Sequence, residues 1–209
     1  MWCPQFRHAF LSIPDYGFSS RLNLKVFIIS KCDVVTCEIL EAMSDKMIVS
    51  TDLSGNTYDV PVSELQWRPA AYAIIIRHGE VLLVKAKGAY HLPGGGIDLG
   101  EVPEDAILRE ILEETGLIVA NPTLVDLLTT FFAYDAYGSQ KVRHVQSLLL
   151  YYACELVSGD FSDSKPEEYE VAIGATPEWV RMQELDNIVV GTSVDWRSLV
   201  KRCSGNISA

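Results

Sequence analysis

The stretch Gly95–Leu117, GGIDLGEVPEDAILREILEETGL, decides the fold of this chain. It opens as a glycine-rich turn, passes Glu101, and enters a segment begun by Pro103 and stopped by Gly116. Proline suits a first helical turn because its missing N–H has no intrahelical partner there. Glycine followed by an apolar residue is a plausible C-terminal stop. The spacing predicts a helix from about Val102 to Thr115.

On that helix Glu110, Glu113 and Glu114 stand at i, i+3 and i+4, within an arc of about 100°. Ile107, Leu108, Ile111 and Leu112 fill a separate arc expected to face a core. Glutamates at i and i+4 repel by roughly 0.2–0.5 kcal/mol in an isolated helix. Clustering three of them therefore implies a cation between them, and carboxylate oxygens suit a hard divalent ion such as Mg²⁺. The alternative is a solvated acidic face.

Glycine, five residues, Glu, seven residues, Arg-Glu-Ile, one residue, Glu-Glu, one residue and Gly-Leu run from Gly95 to Leu117. With each specified residue at an average usage of about 7% or less, a chance match of the whole pattern falls below roughly one in a million. The pattern resembles the box of the Nudix hydrolase family at every fixed position. Leu92-Pro93-Gly94-Gly95 before it is also Nudix-like, and so are Thr176-Pro177-Glu178-Trp179-Val180 and Glu184-Leu185 near the end.

The resemblance implies an α+β fold, an α/β/α sandwich with a mixed sheet. It implies hydrolysis of a pyrophosphate linkage in a nucleoside triphosphate or another nucleoside diphosphate-linked compound. Water would attack phosphorus with Mg²⁺, or Mn²⁺ as an alternative, offsetting phosphoryl charge. Carried onto this sequence, Glu110, Glu113 and Glu114 are the expected metal ligands, with the Gly95 carbonyl as a further one. Arg109 would orient the carboxylates, and Glu101 would partner Arg109 or act as an outer ligand. Glu113 or Glu114 competes for the role of general base with acids of the Ser158–Glu170 loop, namely Glu167, Glu168 and Glu170. A Nudix fold used only for nucleotide binding or regulation, with an N-terminal module that binds a partner, is the other reading.

The chain has 209 residues, 48% hydrophobic and 22% charged, which is ordinary globular composition with room for a sizeable core. Its net charge of −11 works against binding nucleic acid through the phosphate backbone, which needs clustered Lys and Arg. No run of residues reaches the ~18 apolar positions of a membrane span, and the N-terminus lacks a leader pattern, so a cytoplasmic protein is expected. A nucleotide-type small molecule is the expected partner, and a homodimer stays open. Cys3, Cys32, Cys37, Cys154 and Cys203 are scattered without a zinc spacing and are expected to be reduced, small packing residues.

Residues 1–67 form a β-rich N-terminal module in this reading, and 68–209 the Nudix domain. Short strand-like runs follow Leu24, namely LKVFIIS, DVVTCEIL, KMIVST and TYDVPV. The end of this region, with Gly55, Tyr58, Val60, Pro61 and Leu65, resembles either the close of an SH3- or Tudor-like barrel or an irregular extension of the main sheet. Ala70–Ala86 reads as a hairpin turning at His78-Gly79. Leu117–Tyr134 and Val142–Leu156 read as further strands, and Ser193–Cys203 as a terminal helix.

Specificity falls to residues outside the box. Tyr72, Phe131, Phe132, Tyr134 and Tyr137 are candidates to stack on a base. Lys85, Lys87, Arg143 and His144 are candidates to neutralise phosphate. The proline associated with ADP-ribose enzymes is absent at its position, because Pro122 follows Leu117 too closely. Tyr134 falls where dinucleoside polyphosphate enzymes carry a tyrosine, and the substrate stays open.

Overall fold

A computed structural model describes residues 46–135, 142–166 and 168–206. The expected strands LKVFIIS and DVVTCEIL, Tyr137, Glu167 and Cys3, Cys32 and Cys37 lie outside the described residues.

The architecture is α+β. Strand β3 (Gln66–Arg77) is the spine, and its residues point alternately to two cores, as the period of a strand requires. Ala71, Ala73 and Ile75 face one cluster with Ile107 and Ile111, whereas Ala70 and Ile74 face another with Trp196, Leu199 and Val200. Burial on both sides explains why this run is apolar nearly throughout. Strand β4 (Glu80–Ala86) returns antiparallel through His78-Gly79, both at positive φ (46° and 79°), the geometry of a tight two-residue hairpin.

Strands β1 (Met47–Thr51), β2 (Thr57–Pro61), β5 (Ala89–His91), β6 (Gly94–Gly96), β7 (Leu117–Asp135), β8 (Val142–Gly159) and β9 (Thr176–Arg181) complete a mixed sheet of order β2-β1-β7-β8-β3-β4-β5. β6 pairs with β3, and β9 with β4. β8 lies parallel to β3 and antiparallel to β7. The described end of the N-terminal region is the β1–β2 hairpin, which joins the sheet at Thr51 beside Phe132. Its turn is closed by Asp52, whose carboxylate accepts from the Ser54 and Asn56 N–H groups, the Asn56 amide and the Tyr58 hydroxyl.

Helix α1 (Pro103–Thr115) carries the box. Pro103 opens it, Glu104 and Asp105 sit in its first turn where the helix dipole favours negative charge, and Gly116 ends it at φ 70°, its N–H bonded to the Leu112 carbonyl. Ile107 and Ile111 are fully buried, but Leu108 and Leu112 are 37% and 47% exposed. The expected four-residue apolar arc is therefore corrected to a narrower seam, because each residue is turned about 100° from its neighbour and only one stripe meets the sheet. At Gly116 a Cβ would lie 2.3 Å from the Asp160 carbonyl oxygen. Gly116→Ala, strained in backbone and clashing with backbone, is expected to cost roughly 2 kcal/mol or more, read as a lower urea midpoint.

Helix α2 (Glu168–Ile173) interrupts the polar stretch after β8, and α3 (Arg197–Asn206) closes the chain. The terminal helix begins four residues later than its expected start at Ser193. The Asp195 carboxylate accepts the Arg197 N–H and guanidinium, holding residues up to Trp196 outside the helix. Cys154 and Cys203 are half-buried free thiols, and burial pushes the Cys154 thiol up to about 12. Among the described residues no helix is long and apolar enough to cross a membrane.

Candidate functional site

Arg109 is the hub of the box. Its Nε and Nη2 donate to the two oxygens of Glu101 at 2.9 and 3.0 Å, its Nη1 to Glu110 at 2.9 Å and Glu113 at 3.1 Å, and its Nη2 also to the Gly96 carbonyl at 3.1 Å. All five guanidinium donors are thereby used. The Arg109 hydrogen bonds hold the Glu101 carboxyl down to about 2, helped by the Asp98 N–H.

Because the folded value of Glu101 lies below its ordinary 4.5, its contribution to stability is present above about pH 4.5 and lost as pH falls toward 2. The difference in urea midpoint between wild type and Glu101→Gln is expected to shrink across that window. A difference constant from pH 7 to pH 2 would refute the ion pair's role.

Glu114 is half-buried in the last turn of α1. Its carboxyl accepts the Gly94 N–H at 2.8 Å and is held well above its usual range, first by burial, then by a hydrogen bond with Glu170, with Glu110 adding repulsion. Of the loop acids that lie among the described residues, Glu170 on α2 is set against the box. Glu168 is exposed on the same helix.

Gly95 explains how β6 fits over these acids. A Cβ there would fall 2.6 Å from Oε1 of Glu110, so a side chain at this position would displace the Glu110 carboxylate. Among the described residues, no three acidic, histidine or cysteine side chains yet close around one point as an ion would require. Arg109 occupies the space between Glu110 and Glu113.

On the other face of β3, away from α1, lies a cavity of about 380 Å³ lined by Arg68, Tyr72, Phe132, Tyr134, Tyr151 and Trp196. Tyr72 and Tyr151 stack at 5.9 Å, and the buried Trp196 indole N–H has no partner. A second space of about 700 Å³ adjoins it through His91, Thr130 and Thr192, and takes in Phe131 and Lys87.

The structure therefore brings Tyr72, Phe132 and Tyr134 to one cavity. It does not bring Lys85 or Arg143 there. Lys85 stands 5.0 Å over the Tyr90 ring and 4.0 Å from Glu178, and Arg143 is exposed opposite Tyr134. His144 packs against Tyr58 with Nδ1 buried and unpartnered. Arg68, His91, Tyr151 and Trp196 escaped the sequence reading. Only Arg68, a charge at the mouth of an apolar strand, left a signal in sequence.

The chain resembles known proteins over part of its length. It is 36% identical over 105 residues to an ADP-ribose pyrophosphatase of Methanocaldococcus jannaschii, covering 48% of this chain and 59% of that protein. It is 46% identical over 72 residues to an RNA pyrophosphohydrolase of Psychrobacter cryohalolentis, covering 32% and 40% respectively. The chain spans about half the length of these curated relatives. A NUDIX hydrolase structure from Nitrosomonas europaea aligns over 68% of this chain and 89% of its own, with a TM-score of 0.48 and 21% identity. The NUDIX domain family matches residues 66–198, well over half of the sequence and including the whole box, and the chain belongs to that family.

Proposed function

We propose that this chain is a divalent-metal-dependent pyrophosphohydrolase acting on a nucleoside triphosphate or another nucleoside diphosphate-linked compound. The observation that carries it is the crowding of Glu110, Glu114 and Glu170, with Glu114 accepting the Gly94 N–H and Glu110 lying against Gly95. Buried carboxyls set against one another are costly unless a cation joins them. The oxygens of Glu110, Glu113 and Glu114, with the Gly95 carbonyl, would supply the hard donors that suit Mg²⁺, with Mn²⁺ as the alternative. The proposed metal ligands are Gly95, Glu110, Glu113 and Glu114.

When bound, the ion would lower the pKa of a coordinated water and offset charge on the phosphoryl oxygens. The protein's own part is positioning. Arg109, held by Glu101 and Gly96, fixes the rotamers of Glu110 and Glu113. The hydrogen bond between Glu114 and Glu170 requires a proton on one of them, and the ionised partner is the candidate to take a proton from water. The aromatic cavity suits a nucleobase. Residues 1–67 are proposed as an N-terminal module and 68–209 as the catalytic domain.

A screen for released phosphate, pyrophosphate and nucleoside monophosphate over nucleotide substrates, with Mg²⁺ and with chelator, tests the reading. Turnover that requires the ion supports it. Nucleotide binding without turnover of any substrate would leave the regulatory alternative instead.

A further inference from the structure

Arg68 sits on β3 beside Ser147 of the parallel strand β8. The fully buried Ser147 hydroxyl donates to the Arg68 carbonyl at 2.6 Å and pins the backbone there. The side chain reaches β6, where its Nη2 lies 3.8 Å from the point at which a side chain on Gly96 would begin. The next residue of that strand, Gly95, rests on Glu110, and the Gly96 carbonyl is held by Arg109. Strand β6, free of side chains, thus has Arg68 against one residue and the carboxylate cluster against its neighbours.

Arg68 also lines the aromatic cavity. Among the described residues, no carboxylate stands within ion-pair distance of it, whereas Arg109, Arg181, Arg197 and Arg202 each have one. In a chain of net charge −11, an arginine that lines the cavity, lies against β6 and has no carboxylate within ion-pair distance among the described residues is placed to receive an anion. Its planar fork matches two phosphate oxygens.

We infer that Arg68 binds the phosphate nearest the nucleoside, with the base in the cavity of Tyr72, Tyr151 and Trp196 and the phosphate chain passing over β6 toward Glu110 and Glu114. The ligand class is a nucleoside 5′-diphosphate or a compound built on one, and the inference rests on the hydrolase reading only for what happens to the outer phosphate. Arg68 is then a substrate-positioning residue, outside the box, that sets which end of the nucleotide meets the acids.

The test is calorimetric titration of the full chain in chelator with ADP, GDP, adenosine and guanosine, using wild type, Arg68→Ala and Arg68→Lys. The expected result is a diphosphate that binds wild type, binds Arg68→Ala roughly ten- to a hundredfold more weakly, and is partly recovered by Arg68→Lys. The matching nucleoside is expected to behave alike with all three proteins, and their melting temperatures should agree. Undiminished diphosphate binding by Arg68→Ala, an equal loss for the nucleoside, or no diphosphate binding by wild type would each overturn the inference. Turnover that ignores Arg68 would sink this inference and leave the hydrolase reading standing. Arg68-dependent binding with no turnover of any substrate would do the reverse.

Discussion

Glu114→Gln is expected to lower turnover by roughly a thousandfold or more while leaving the fold intact. The size follows from the several kcal/mol that a bound divalent ion contributes to the transition state, at about 1.4 kcal/mol per factor of ten. The fold should survive because glutamine has the same shape and its carbonyl can still accept the Gly94 N–H. The substitution also separates a metal ligand from a structural acid. The folded Glu114 carboxyl is raised by burial and by Glu170, so its neutral form is the one the fold favours. Stability associated with that form is full below the ordinary value of about 4.5 and is lost as pH rises through the folded value. Without metal, wild type should therefore lose stability toward neutral pH, and Glu114→Gln, uncharged throughout, should be at least as stable there. Saturating Mg²⁺ should reverse the order, since an ion at a hundred times its dissociation constant adds about 2.7 kcal/mol to the protein that binds it. Melting curves with chelator and with Mg²⁺ check both halves. An unchanged turnover, or equal Mg²⁺ stabilisation of both proteins, would remove Glu114 from the metal site.

Arg109→Met is expected to give the largest combined loss of stability and activity. The guanidinium makes five hydrogen bonds, four of them to carboxylates, and its removal takes away the charge that Glu101, Glu110 and Glu113 share. Breaking a buried pair one-sidedly costs roughly 3–5 kcal/mol. Because Arg109 is 29% exposed, solvent screening brings the expectation down to about 2–3 kcal/mol, or roughly 5–10 °C in melting temperature. Groups that orient metal ligands typically cost ten- to a hundredfold in activity when lost. Arg109→Lys should recover part of the charge but little of the geometry, because an ammonium group cannot reach four acceptors in a planar fork. Full recovery by lysine would show that only charge at this position matters.

The helix of the box and its arrangement of acids were legible in the sequence because they are local. Pro103, Gly116 and the i, i+3, i+4 spacing of the glutamates are set by helical geometry alone, and Glu101 lies within one turn of the loop that brings it to Arg109. Leu108 and Leu112 were misjudged because periodicity shows where apolar residues fall around a helix, whereas the width of the buried stripe depends on the sheet that meets it. Glu170 could not be told from Glu168, since its approach to Glu114 needs the end of β8 and α2 to fold back over the box.

Length, composition and the spacing of Gly95–Leu117 determined the family, the α+β class and the acids and arginine of the candidate site. Only the tertiary structure decided which aromatic residues share a cavity, that Glu170 faces Glu114, and that Arg68 comes to Gly96. The reason is physical. The box residues interact across a few turns of chain, but Arg68, Gly96, Tyr151 and Trp196 are joined by β3–β8 and β3–β6 pairing and by the packing of α3. Contacts made by strands so distant in sequence leave no period or spacing along the chain from which to read them.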